Sequence, residues 1–293
     1  MTPAKQRGIL LLPVALTLAI AGALAYTMTH SASMEIAAFD AQHDTDTARY
    51  LAEAGVQLAK WQNERILCGS QLGFGTVTLP GGQIVSNNVK EGSGKIKVSL
   101  TATTTRGAVN VLVEREVRMH RTIPVSLSIK LSDMKDTYIQ VGSPQQGNSL
   151  YLEMTDANAH GLMSFSFPGA LDDAAVLSAE LSLVQTDSKS TMPNRSLALH
   201  RVLRDWSETG ATWTSPWSTP GGDYVATPAA TVAIDGNARY AWRIDALVEG
   251  WANKTLPNNG LLLKPSGLLE ARFHTRGSPT NQPKLDIRYL PRC

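Results

Sequence analysis

The chain has 293 residues, 27 Lys plus Arg against 25 Asp plus Glu, and a formal net charge of +2. That length is on the order of two domains, and so balanced a charge excludes a protein that holds nucleic acid or an anionic membrane through its overall field. With two cysteines, 23 glycines and 15 prolines, it is neither a disulfide scaffold nor a low-complexity chain, and no repeat at solenoid or propeller period occurs.

The first element is the uncharged run 8–28, long enough to span a bilayer as a helix. Lys5 and Arg7 precede it and acidic residues begin at Glu35, so the positive-inside rule keeps the N-terminus in the cytoplasm and exports the rest. A secretory signal peptide competes, since Ala23-Leu24-Ala25 mimics a cleavage site. Against it, residues 33–67 contain no proline, and Ala48, Leu51, Ala54, Leu58 and Trp61 recur at helical spacing among Asp44, Asp46, Arg49, Glu53 and Lys60. The apolar helix therefore continues as an amphipathic one.

This N-terminal part resembles a type IV pilin-like protein. Lys5-Gln6-Arg7-Gly8-Ile9 is similar to a prepilin peptidase site, with Arg7, Gly8 and Ile9 at the processing point and cleavage implied after Gly8. Ala48-Arg49-Tyr50-Leu51-Ala52-Glu53-Ala54-Gly55 is similar to the AEAG stretch of PilX-type minor pilins. The resemblance implies other pilins or minor pilins as partners through the N-terminal helix. It also implies an inner-membrane location before assembly, with the exported part facing the periplasm or displayed outside on a pilus. One departure is Pro13, at the place where most pilins carry a glutamate that neutralises the N-terminal amine of a neighbour. Proline is tolerated in a first helical turn, but it cannot neutralise an amine.

The helix should stop near Cys68, where Gly69, Gly73 and Gly75 follow and Pro80-Gly81-Gly82 marks a turn. Lys95-Ile96-Lys97-Val98-Ser99-Leu100 alternates as a half-buried strand, and with its neighbours predicts a small pilin-like antiparallel sheet over 68–121. Gly92-Ser93-Gly94-Lys95 lacks the Ser or Thr of a phosphate loop. Arg115, Arg118, His120 and Arg121 read as a solvated linker or a helix-facing edge. From Thr122 the chain reads as all-β. In 175–183, Leu177, Ala179, Leu181 and Leu183 should face one way and Ser178, Glu180 and Ser182 the other. Asp245 is placed to cap a short helix containing Leu247, Val248 and Trp251.

Residues 205–213, 216–224, 247–253, 258–264 and 283–287 carry a second resemblance, to the DNRLRE domain family, which overlaps a group of carbohydrate-binding modules with a jelly-roll sandwich. Trp206, Trp213, Trp217, Trp251 and Asn259-Gly260-Leu261-Leu262-Leu263-Lys264 are its distinctive residues. Asp136-Thr137-Tyr138-Ile139 fits its opening, whereas Leu162-Met163-Ser164-Phe165 lacks an expected arginine. Large aromatics dominate a sandwich core, which accounts for Trp206, Trp213 and Trp251. Trp217 lies among Pro216, Ser218, Thr219 and Pro220, so it is the candidate for an exposed ring that stacks on a sugar face, with Asp223 and Tyr224 beside it as candidate glycan-binding residues.

No cofactor is required. Asp205, Glu208 and Asp223 offer oxygen ligands for a calcium ion, although EF-hand spacing is absent and a surface loop of this composition needs no ion. Six scattered histidines, no Gly-x-Ser-x-Gly elbow and two distant cysteines give no catalytic constellation, so the chain does not read as an enzyme. Cys68 and Cys293 are the only cysteines of a chain read as exported, where disulfides persist, and an intramolecular bond between them is expected. Free thiols or pairing to another subunit are the alternatives.

The expected fold is α+β: a leader over 1–8, a transmembrane and stalk helix over 9–67, the small sheet over 68–121, and a jelly-roll sandwich over 122–293. The expected function is a minor, tip-proximal subunit of a type IV pilus or pseudopilus displaying an adhesion module. The alternative is a membrane-anchored surface polysaccharide-binding protein that never enters a filament. Partners are then pilins, a polysaccharide and the inner membrane, and not nucleic acid.

Overall fold

In the computed structural model the described residues are 11–65, 68, 74–91, 94–105, 110–156, 158–188, 195–267 and 270–293. Arg7, Gly8 and Ile9 lie outside them. The chain divides into two compact units, the first made of 1–63, 70–91 and 96–117 and the second of 64–69, 92–95 and 118–293.

The first unit is built on α1 (Leu11–Arg65) and a sheet in the order β1 (Gly75–Leu79), β2 (Gly82–Glu91), β3 (Lys95–Thr104), β4 (Asn110–Arg118). Along the second half of α1, Ala48, Leu51, Ala52, Val56 and Ala59 are buried. From β2 and β3, Ile84, Ile96, Val98, Leu100 and Ala102 are buried. Gly55 lets the two surfaces meet, since a Cβ there would come 2.9 Å from Leu100 and 3.3 Å from Ile84. Of the two readings of the basic cluster at 115–121, the helix-facing edge holds for Arg115, which lies in β4 with Arg118 and pairs with Glu53 of α1. Along the first half of the helix Leu16, Leu18, Ile20, Leu24, Tyr26, Met28, Met34, Ile36 and Phe39 are all exposed. Among the described residues no helix is long and apolar enough to cross a membrane; the apolar run at 8–28 begins outside them.

The second unit is a two-layer β-sandwich, as the sequence pattern from Thr122 predicts. Its elements are β5 (Val125–Ser128), β6 (Met134–Gln140), β7 (Tyr151–Thr155), β8 (Ala159–Phe165), β9 (Ala175–Ser188), β10 (Ser196–Arg201), β11 (Ala230–Ala233), β12 (Arg239–Arg243), α2 (Asp245–Ala252), β13 (Leu261–Ser266), β14 (Glu270–His274) and β15 (Lys284–Leu290). One layer runs β6-β8-β13-β10-β11; the other runs β5-β15-β9-β12, with β14 and then β7 joining at the far end of β9. The pairings are antiparallel. Alternating inward residues of both layers form one core, including Met163, Leu181, Leu183, Leu197, Leu199, Trp242, Leu261, Leu263, Phe273, Leu285 and Ile287, as a half-buried antiparallel sheet requires.

Two local expectations are corrected. Leu177 does not join Ala179, Leu181 and Leu183 inside but stays 44% exposed. Arg288 pairs with Ser178 and Tyr289 with Val176, leaving Leu177 as the extra residue of a bulge, and a bulge re-aims the side chain it carries. Asp245 does not cap α2, whose N-cap is Ile244. Its carboxylate instead accepts the Ala179 N–H at 2.6 Å and pairs with Arg243, which holds it below the usual carboxylate range, chiefly through the Arg243 hydrogen bond. Cys68 and Cys293 are joined, as expected, with Cα atoms 5.3 Å apart.

Candidate ligand-binding site

The tryptophan-rich stretch is the connection between β10 and β11, residues 202–229. A loop of that length without strands of its own must find partners for its backbone groups. It does so by folding over the outer face of the β6-β8-β13 layer, where Ile139, Leu162, Val202, Trp206, Ala211, Trp217 and Leu262 form a second small core. Trp206 Nε1 donates to Asn259 O at 2.9 Å and Trp217 Nε1 to Thr212 O at 2.8 Å, so both indole N–H groups are satisfied inside. The turn at Gly221 and Gly222, with φ of +94° and +111°, is open only to glycine in practice. A Cβ on Gly222 would lie 2.5 Å from Leu262.

This arrangement overturns the reading of Trp217 as a stacking platform. The ring is 7% exposed and packed in the small core. Trp213 is the ring of this loop that remains partly exposed, tilted against His160 at 5.0 Å. Asp223 and Tyr224 also serve the loop. Asp223 accepts the N–H groups of Ser218 and Thr219 and pairs with Arg204 at 3.2 Å, so its carboxyl is held below its ordinary range, first by the Ser218 bond. Tyr224 Oη accepts from Lys264 Nζ at 2.8 Å, and its ring meets His200 edge-on at 4.9 Å. Burial lowers both neighbouring imidazoles, His160 and His200; each is placed for Nδ1–H to donate to a loop carbonyl, of Gly221 and Val225, at 2.8 Å.

The three acids considered for calcium are not brought together. Glu208 holds Arg276 through two hydrogen bonds, 3.0 and 2.7 Å, and accepts the Asp136 N–H. Asp223 is occupied as above, and Asp205 is exposed on the rim of a groove of about 580 Å³ with Lys135, Ser207, Thr209, Ser215 and Pro216. Among the described residues no group of three or more His, Cys, Asp or Glu could hold a metal ion.

Asp136 sits beneath this groove with its carboxylate accepting the Arg276 N–H at 2.6 Å. Burial is the main cause that raises its pKa from 3.8 to about 6. The folded state therefore holds this proton more tightly than the unfolded chain, so stability falls as pH rises from about 4 to about 6 and stays reduced above. Asp136→Asn keeps an acceptor and removes the charge. We expect its melting temperature to equal wild type near pH 4 and to exceed it by pH 7, the gap reflecting up to about 3 kcal/mol. Scans at pH 4, 5, 6 and 7 check this; a gap independent of pH would contradict it.

A second cavity, of about 230 Å³, lies where β7 and β14 pair, lined by Gln140, Glu153, Thr155, Glu270 and Arg272 and bordered by Ala159 and by Met154 and Ala271, which are buried in the sandwich core. Glu153 and Arg272, opposite each other across the two strands, form an ion pair at 3.0 Å. The Thr155 hydroxyl oxygen is buried there with no hydrogen-bond partner among the described residues. None of these residues stood out in the sequence. The available signal was alternation: Glu153 and Thr155 flank Met154 on β7, and Glu270 and Arg272 flank Ala271 on β14. Two open depressions also adjoin on the outer face of β5, β15 and β9, sharing Ser128 and Asp286, with Lys284 at one and Arg288 at the other.

The surface of this antiparallel sandwich offers polar depressions of these sizes. The chain belongs to carbohydrate-binding module family 96, whose family model matches residues 127–289, the span of the sandwich. Such a module binds and is not catalytic in itself. No curated protein matches the chain. Among solved structures, a chain titled as the complete structure of manganese lipoxygenase of Gaeumannomyces graminis and partial structure of zonadhesin of Komagataella pastoris is 13% identical, with a TM-score of 0.14. The match covers 74% of this chain and 54% of that one.

Proposed function

We propose that the chain is a membrane-anchored, pilin-like subunit that carries a polysaccharide-binding sandwich, near the tip of a type IV pilus or pseudopilus. The observation that carries the binding half is the family assignment over 127–289. The anchoring half is supported by the uncharged run after Lys5 and Arg7, and by the large apolar side chains, from Leu16 to Phe39 among the described residues, left uncovered along α1. Apolar patches of that extent on a lone chain mark a membrane or partner surface. A module of more than half the chain, repeated along a shaft, would crowd its neighbours, which favours a rare position at the end.

Pro13 favours a second reading, in which the helix only anchors a surface polysaccharide-binding protein, because it cannot make the charge contact that a glutamate makes in a filament. Co-expression with a prepilin peptidase separates the two. The pilin reading predicts a gel shift from loss of the leader after Gly8 and gold label confined to pilus ends. An unprocessed chain, or even label along the shaft, would refute it. Retention of the protein by at least one of a panel of insoluble and gel-embedded polysaccharides tests the binding half separately.

A further inference from the structure

We infer that the free edge of β5 pairs with the same edge of a second copy of this chain, antiparallel and with Ser126 opposite Ser128, so that two sandwiches share one continuous sheet about a two-fold axis. The inference concerns assembly and is independent of what the sandwich binds.

The edge is open to a further strand. β5 ends its layer and pairs on one side, with β15. The Ile129 N–H donates to Leu285 O at 3.0 Å, which fixes the alternation along the ladder: Ile129, Leu127 and Val125 turn their backbone groups to β15, and Ser128 and Ser126 turn theirs outward. Native sheets commonly blunt such an edge with charge. Residues 122–129 carry none, the flanking charges being Arg121 and Lys130, and Ile123 and Val125 are 67% and 41% exposed. β11, an uncharged edge of the other layer, leaves no large apolar side chain exposed among the described residues.

The edge is its own complement in one register. A two-fold contact sets the same patch of each copy against the other. With Leu127 on the axis, Ser126 of each copy lies opposite Ser128 of the other, and the two residues of each pair exchange N–H···O bonds in both directions. Leu127 then meets its counterpart, and Val125 lies beside Ile129 of the second copy, in the closely spaced pairs where side chains interact most. Pro124 has no N–H to give and ends the ladder. Sliding the strands until Ser126 faces its counterpart would put that proline opposite Ser128 and leave the Ser128 carbonyl without a donor.

Charge selects the same register. On β15, Arg288 lies beside Ser126 and Asp286 beside Ser128, and the Ser128 hydroxyl donates to Asp286. Pairing Ser126 with Ser128 therefore brings Arg288 of one copy into the row of Asp286 of the other, across a seam of serines. The slid register would set Arg288 in the row of Arg288. Opposite charges across a contact fix its register, and like charges oppose it.

The test uses the full-length chain in detergent, its mass measured by light scattering corrected for the micelle. We expect a dimer that dissociates on dilution. Ser126→Pro removes an outward N–H and leaves the bonds to β15, so it should weaken the dimer about tenfold or more while the monomer keeps its melting temperature. Arg288→Glu should also weaken the dimer, and adding Asp286→Arg should restore it. Oxidation reads the register. With Cys68 and Cys293 joined, Leu127→Cys and Ser126→Cys each carry a single free thiol; only Leu127→Cys brings two thiols within disulfide reach, so it should cross-link and Ser126→Cys should not. Should Ser126→Pro fail to fold, this thiol pair decides. A monomer at every concentration overturns the inference. A dimer that Ser126→Pro leaves intact also overturns it and moves the contact to the N-terminal helix or another face. Cross-linking through Ser126→Cys in place of Leu127→Cys overturns the register and with it the charge argument.

Discussion

Trp217→Ala should cost the sandwich about 3–5 kcal/mol, the range for removing a large aromatic from a packed interior. The ring is 7% exposed, contributes to the small core under the 202–229 connection, and fixes that loop through its bond to Thr212 O. Trp213→Ala should cost less, about 1–2 kcal/mol, because that ring is only partly buried where it packs against the small core and His160. Denaturant titration followed by fluorescence of the remaining tryptophans compares the two. If Trp217→Ala left stability unchanged and abolished sugar retention, the ring would be a binding platform after all and the buried placement wrong.

The second large effect is expected at the disulfide. Cys68 and Cys293 are 225 residues apart, and for a loop of that length the chain-entropy model gives roughly 5 kcal/mol, an upper figure because residual structure in the unfolded chain reduces it. The residues around the bond are held independently: Cys293 N–H donates to Met119 O at 2.9 Å and Met119 N–H to Gly94 O at 2.7 Å. The variant with both cysteines changed to serine should therefore keep its fold and lose 2–5 kcal/mol, with the same loss seen in wild type under reductant. Mass spectrometry of the unreduced protein should show one linked peptide pair in a monomeric band. Two alkylatable thiols, or no shift in the denaturation midpoint on reduction, would contradict this.

Much of the sandwich was legible because its physics is local. Ala179, Leu181 and Leu183 announce a strand by alternation alone, and only the bulge opposite Arg288 and Tyr289 hides Leu177 from that logic. The disulfide was legible because the chain has two cysteines and no third to compete. Trp217 was not, since prolines, serine and threonine around it read as an exposed loop, and nothing in the sequence says that the loop brings a core of its own and lays it on β6, β8 and β13. The cavity was illegible for a different reason: Gln140, Glu153, Thr155 and Arg272 come from β6, β7 and β14, and only strand pairing brings Glu153 opposite Arg272.

The pairing pattern also sets the order in which the sandwich can be completed. β5 pairs with β15, β7 with β14, β8 with β13, and β9 with β12, β14 and β15. The strands made early thus wait for strands made late, a topology dominated by distant contacts and intrinsically slow to close. While the chain is still emerging, β5 and β9 have no permanent neighbour on the side that β15 will fill, and unpaired strand edges at that stage are where misassembly begins. Residues Lys284–Leu290 act as the closing piece: a chain truncated before β15 leaves both edges open, and Cys68 without its partner three residues beyond that strand.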